Sequence, residues 1–165
     1  MPLTPLHLAV GFPARKFASI KAFIIVNILI DLEPGLIMFF GMDTLGYPLH
    51  QAVHTLGGAT LMAVTTVLLG IPYKGQFRTW LYGAFLGGYS HIFLDALVHS
   101  DVEPFAPIVA GNPMYLNIEP AVSIACAVVL SYYLAKWVIS LRVGEVGSSL
   151  LVRFRRKFFP GSLGK

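Results

Sequence analysis

"TWLYGAFLGGYSHIFLDALV" (79–98) holds no Lys or Arg and a single formal charge, Asp95. Roughly 20 mostly apolar residues suffice for a helix to cross a bilayer. The stretch is therefore read as a buried or membrane-spanning helix. It is not uniformly apolar. His91, Asp95 and, just past its end, His99 follow one another at intervals of four. On a helix, residues i and i+4 share a face about 6 Å apart along the axis. His91 and Asp95 can reach one ion, and Asp95 and His99 can do the same a turn later. His91 and His99, roughly 12 Å apart on an ideal helix, cannot share an ion unless the helix breaks.

The rest of the chain agrees with a membrane setting. Hydrophobic residues make up 56% of the 165 residues and charged ones 12%, against about a quarter charged in soluble domains. Mean hydropathy is +0.72. Four apolar stretches, at 18–39, 52–71, 79–98 and 120–141, predict an all-α, polytopic helical bundle of about four transmembrane helices. Residues 2–14 are too short to span. With prolines suited to a helix start, they predict a surface helix or a re-entrant one turned back at Pro13. No segment at the start reads as a cleavable signal. We expect one helical domain over 1–145 and a basic cytoplasmic tail over 146–165.

The Lys/Arg-rich connections flank the first stretch (Arg15, Lys16, Lys21), fill 72–78 (Lys74, Arg78) and follow the fourth stretch (Arg142 to Lys165). The 41–51 and 99–119 connections are acidic. The positive-inside rule places both termini in the cytoplasm of a multi-pass protein of the cell membrane. The net charge of +4 then marks orientation or anionic lipid, not a nucleic-acid partner. Cys126 is the only cysteine, which excludes an internal disulfide and a thiolate metal cluster.

Ionisable residues inside a membrane segment are costly and mark function. Here they are concentrated: all five histidines and every acid but Glu145 lie between His7 and Glu119. Besides His91, Asp95 and His99, two further elements stand out. His50 and His54 in "HQAVHTLGG" (50–58) have a metal-binding spacing, although Gln51 occupies the place where the zinc-protease motif needs Glu. Asp31 and Glu33 in "LIDLEPGL" (29–36) converge only if their helix ends there, and Pro34 and Gly35 are reasons for it to end. Imidazoles and carboxylates without thiolates suit zinc first, with iron or manganese as alternatives.

Taken in order, "LTPLHLAVG", "LIDLEP", "LHQAVHTLGGA", "GYSHIFLDAL" and "EPFAP" resemble the membrane-bound metal-dependent hydrolases of bacteria and archaea. These small integral membrane proteins are regarded as distant relatives of zinc-dependent phospholipase C. The resemblance covers roughly residues 3–108. It implies a divalent metal ion, one or two of them, held by His7, Asp31, Glu33, His50, His54, His91 and Asp95, with His99 added from its spacing. "SHIFLD" is the nearest motif. "DLEP" has Glu in place of Asp, and "HQAVH" lacks the family's arginine and is a residue shorter. The implied activity is hydrolysis of a membrane lipid or lipid-linked ester by a metal-activated water, with Glu33 or Asp101 as proton acceptor. The alternatives are a non-catalytic metal-binding or transport protein and a structural subunit. A transporter would need ligand groups continuing to the cytoplasmic face, where few are found.

Overall fold

The computed structural model describes residues 4–32, 46–70 and 76–158. These residues form six helices and no strand: α1 (Thr4–Ala14), α2 (Ile20–Ile30), α3 (Gly46–Val53), α4 (Leu56–Leu69), α5 (Phe77–Val98) and α6 (Glu119–Phe158). The chain divides into two units, Met1–Leu130 and Ser131–Lys165, with the boundary inside α6.

Among the described residues, two helices are long and apolar enough to cross a membrane: α5, and Glu119–Leu141 of α6. Half of the α5 window is buried, against 6% of the α6 window. Ile124 and Val128, on the part of α6 that belongs to the first unit, are exposed, as suits a surface that meets lipid or another chain. The helices α2 and α4, with 11 and 14 residues, are shorter than the expected stretches 18–39 and 52–71. At 1.5 Å per residue they rise about 16 and 21 Å, less than the roughly 30 Å hydrocarbon core.

Local chemistry sets these limits. Ser19 caps α2, its Oγ accepting the Ala22 N–H at 3.4 Å. At the other end the Asp31 N–H donates to Asn27 O at 3.1 Å and closes the last turn. The expected stretch 52–71 is broken because α3 stops at Val53 and Thr55 starts a new helix. Thr55 Oγ1 accepts the Gly58 N–H and donates to Ala52 O, both at 2.9 Å.

In the unit Met1–Leu130, α2, α4 and α5 pack against one another, and the core gathers Ala22, Val26, Ile30, Ala59, Ala63, Trp80, Ala84 and Ile92. Glycines on α5 allow the close approach. A Cβ on Gly83 would drive into the Ser19 carbonyl oxygen, and one on Gly87 would sit 2.5 Å from Val26 Cγ1. At the starts of α2 and α5 the Ser19 N–H donates to Thr79 O at 2.7 Å. Near that end the Trp80 indole donates to Thr66 O at 2.8 Å.

Helix α1 reverses direction through a turn at 15–19, where the Ala18 N–H donates to Ala14 O at 2.9 Å. The reversal lies beyond Pro13, which sits within the last turn of α1. The helix then packs on both α2 and α5. His7, Gly11 and Ala14, at helical spacing of four and three, are buried, so one face of α1 belongs to the core.

Replacing Gly83 by Ala should lower the thermal midpoint of the detergent-solubilised protein. The expected cost is that of overpacking a tight contact, about 1–3 kcal/mol. Thermal melts of Gly83→Ala and of Gly57→Ala, whose added Cβ meets only Thr55 Oγ1 at 3.6 Å, provide the comparison. Equal midpoints would show that α2 does not rest on Gly83.

Candidate metal centre

Four segments deliver ionisable side chains to one place. His7 comes from α1. Asp31 stands directly after α2, where the helix has ended. His54 occupies the break between α3 and α4. His91 and Asp95 lie one turn apart on α5. His7, His54, His91 and Asp95 are each at most 5% exposed. The Asp31 side chain is 20% exposed, so the cluster opens on that side.

His91 Nε2 is 3.1 Å from Asp95 Oδ2 and 3.3 Å from Asp31 Oδ1. His54 Nε2 is 3.7 Å from each of the same two oxygens. His7 Nε2 is 3.2 Å from the other Asp95 oxygen, Oδ1. Ligand atoms of His7, His91 and Asp95 lie within 4.8 Å of one another, and so do those of Asp31, His54 and His91. Tetrahedral zinc, with bonds of about 2.0–2.1 Å, separates its ligand atoms by about 3.3 Å. The spacings around His91 and His54 bracket that value.

The far side of each ring decides what its near side offers. Asn27 Nδ2 donates to Phe23 O at 2.7 Å, so Asn27 Oδ1 faces the other way and accepts from His91 Nδ1–H at 2.8 Å. Flipping the amide would set two carbonyl oxygens against each other. His54 Nδ1–H donates to His50 O at 2.9 Å, and a carbonyl can only accept. With Nδ1 protonated, a neutral His54 or His91 turns a bare Nε2 lone pair toward the carboxylates. This is the arrangement that orients metal-bound histidines.

Lone pairs facing buried carboxylates repel unless a positive centre lies between them. His91 Nε2 is buried and makes no hydrogen bond despite its two close oxygens. An added proton or a metal ion would resolve the conflict. These nitrogen and oxygen donors could hold a metal ion.

The remaining expected residues fall elsewhere. His50 lies outside both donor groups; its ring packs on His54 with centroids 4.1 Å apart, and its carbonyl orients His54. His99 also lies outside. It is the C-cap of α5, with φ −116° and ψ 120°, so the chain has left the helical face that would aim it at Asp95. Its Nε2 is buried and unpartnered among the described residues. Asp101 is exposed and belongs to neither group. Glu33 lies outside the described residues.

Asn27 is the residue that the sequence reading passed over. It is fully buried, in a helix whose charged side chain, Lys21, is exposed at the other end. Its signal in the sequence was a lone amide within an apolar run, one helical turn before Asp31. An apolar cavity of about 410 Å³, lined by residues that include Leu86, Tyr89, Phe93, Pro104 and Met114, is not part of the centre. At 100° per residue, Tyr89 and Phe93 lie on the face of α5 opposite His91 and Asp95.

No protein-family model, curated protein or solved structure matches this chain. The resemblance noted above therefore rests on its motifs alone.

Replacing Asn27 by Leu should free His91 to rotate and weaken metal binding about 10- to 100-fold, the usual effect of losing such a partner. Zinc titration against a competing chelator dye measures this. Unchanged affinity in a normally folded variant would remove the orienting role.

Proposed function

We propose that this chain is an integral membrane metal-dependent hydrolase acting on a lipid or lipid-linked ester or phosphoester, with zinc the first choice of metal. The observation that carries the reading is the convergence of His54 and His91 Nε2 on the carboxylates of buried Asp95 and partly exposed Asp31, with each ring oriented from behind.

A divalent ion held there would acidify a water molecule and polarise an ester or phosphoryl oxygen. The chain's own contribution is to fix geometry. Asn27 and the His50 carbonyl set the two rings, α5 holds His91 and Asp95 one turn apart, and Asp31 marks the more open side. Of the expected proton acceptors, Asp101 is exposed and outside both donor groups, and the proposed assignment is Glu33.

The membrane part of the proposal is a multi-pass topology with both termini cytoplasmic and α1 re-entrant. Its support is the sorting of charge. The Ser19–Thr79 hydrogen bond joins the starts of α2 and α5, which brings the segments bearing Arg15, Lys16, Lys21 and Arg78 to one end. Asp31 and Asp95 belong to the opposite ends of the same two helices. A lipid substrate follows from that setting and from the motif resemblance.

Transport is the weaker reading. Below the centre the buried polar side chain of α4 is Thr66, and its hydroxyl already donates to Met62 O at 2.8 Å. Among the described residues no second His/Asp group continues toward the basic end.

The deciding experiment is metal analysis of detergent-purified wild type beside His91→Ala and Asp95→Ala. Stoichiometric zinc, iron or manganese in the wild type and at least a tenfold loss in both variants is the expected result, followed by metal-dependent release of product from a lipid ester or phosphoester. A wild type that holds no metal after reconstitution, with folded variants, would leave the cluster as a buried polar tether.

A further inference from the structure

The apolar cavity of about 410 Å³ is walled by Leu56 at the start of α4, Leu86 and Phe93 of α5, and Pro104, Phe105 and Met114 of the connection after α5. Its volume falls within the roughly 300–1,000 Å³ of cavities that hold small molecules. The walls are tied in place. The Leu56 N–H donates to Pro104 O at 2.9 Å, and the Leu116 N–H donates to Leu97 O at 3.1 Å. Asn112 Nδ2 donates to both Ala96 O and His99 O at 2.7 Å. The connection is thus held against the end of α5 and the start of α4, and the space is preformed.

Two hydroxyls border the cavity, and both are committed. Thr60 Oγ1 donates to Leu56 O at 2.7 Å, so its second bond, at 3.0 Å, comes from the Tyr89 hydroxyl. Ser90 Oγ donates to Gly87 O at 3.2 Å. No lining side chain has a donor to spare. Ordered water needs about two to four polar partners, and a peptide would bury backbone groups without any. The occupant that meets no penalty is hydrocarbon.

The surface around the mouth has the same character. Tyr82, Tyr89 and Phe93, at intervals of seven and four on α5, are exposed, as are Leu61, Val64 and Leu68 of α4. Neither α4 nor residues 79–94 carry a Lys, Arg, Asp or Glu, and α5 is long and apolar enough to cross a membrane. We propose that the cavity holds one acyl chain of a membrane phospholipid, entering sideways from the bilayer. The site lies on the face of α5 opposite His91 and Asp95, so the chain is a lodged ligand and not the group that meets the candidate metal centre. It rests on the membrane part of the reading above, and not on metal binding or hydrolysis.

The test uses the full chain in phosphatidylcholine vesicles that include a small fraction of phosphatidylcholine bearing a diazirine midway along one acyl chain. After irradiation, the labelled residues are mapped by peptide mass spectrometry. Labelling at Leu86, Phe105 and Met114 should exceed that at Leu61 and Leu68 on the open surface several-fold. Leu86→Trp, which fills the space, should bring labelling of Phe105 and Met114 down to the level of the open surface. The wild-type pattern decides the matter even if the variant does not fold. Equal labelling of cavity and open surface would reveal passing lipid contact only. Weaker labelling of the cavity would mean that protein, such as a second copy of the chain, covers its mouth. Undiminished labelling in folded Leu86→Trp would place the acyl chain elsewhere. Each of these three results would overturn the site while leaving the membrane setting in place. A chain that the acyl probe does not label at all would overturn the membrane reading as well.

Discussion

The buried carboxylate of Asp95 is the constraint around which the N-terminal unit is organised. An uncompensated charge at 5% exposure costs several kcal/mol, and the cost falls only when partners of suitable geometry surround it. The partners here come from α1, from the α3–α4 break and from α5 itself. A helical bundle this apolar would be simpler without any of them. Their convergence imposes a register: α1 must dock so that His7 reaches one oxygen, and α4 must begin where His54 can approach the other.

That register depends on helices packing closely, and α5 is built for it. Its glycine-bearing face meets α2 and α4, while the opposite face, with Tyr89 and Phe93, carries bulk and lines an apolar cavity. Because α2 lies so near, a short residue such as Asn27 can span the gap to the His91 ring. A larger separation would leave His91 Nδ1 unmet and the ring free to turn. Small residues and ring orientation are therefore linked: the first makes the second possible.

The sequence made some of this legible. The His91–Asp95 pair could be read because both residues lie within one uninterrupted helix, where spacing of four means one face. Asp31 could be placed at a helix end because Pro34 disfavours helical backbone at the residue before it, although α2 stops somewhat earlier, at Ile30. His50 and His54 keep their helical turn, the His54 N–H donating to His50 O at 3.1 Å and the rings packing 4.1 Å apart, yet of the two only His54 belongs to a donor group among the described residues. His99 departs because the chain leaves the helix at the end of α5. His7 lay beyond the charge rule, which sorts connections by side but does not register a hairpin folding back into the core. Asn27 was hidden because one amide in an apolar helix does not reveal what it faces.

The distance along the chain between His7 and Asp95, 88 residues, bears on biogenesis. Helix α1 emerges from the ribosome long before α5 exists, and at 11 residues it is too short to settle across a bilayer by itself. Its polar histidine has no buried partner until α5 has been inserted. On the membrane reading proposed above, a helix made early is then among the last to find its place, docking once the helices that receive it are assembled. Closure of the centre thus becomes a late step of maturation, and any ion it takes is captured by a nearly finished protein.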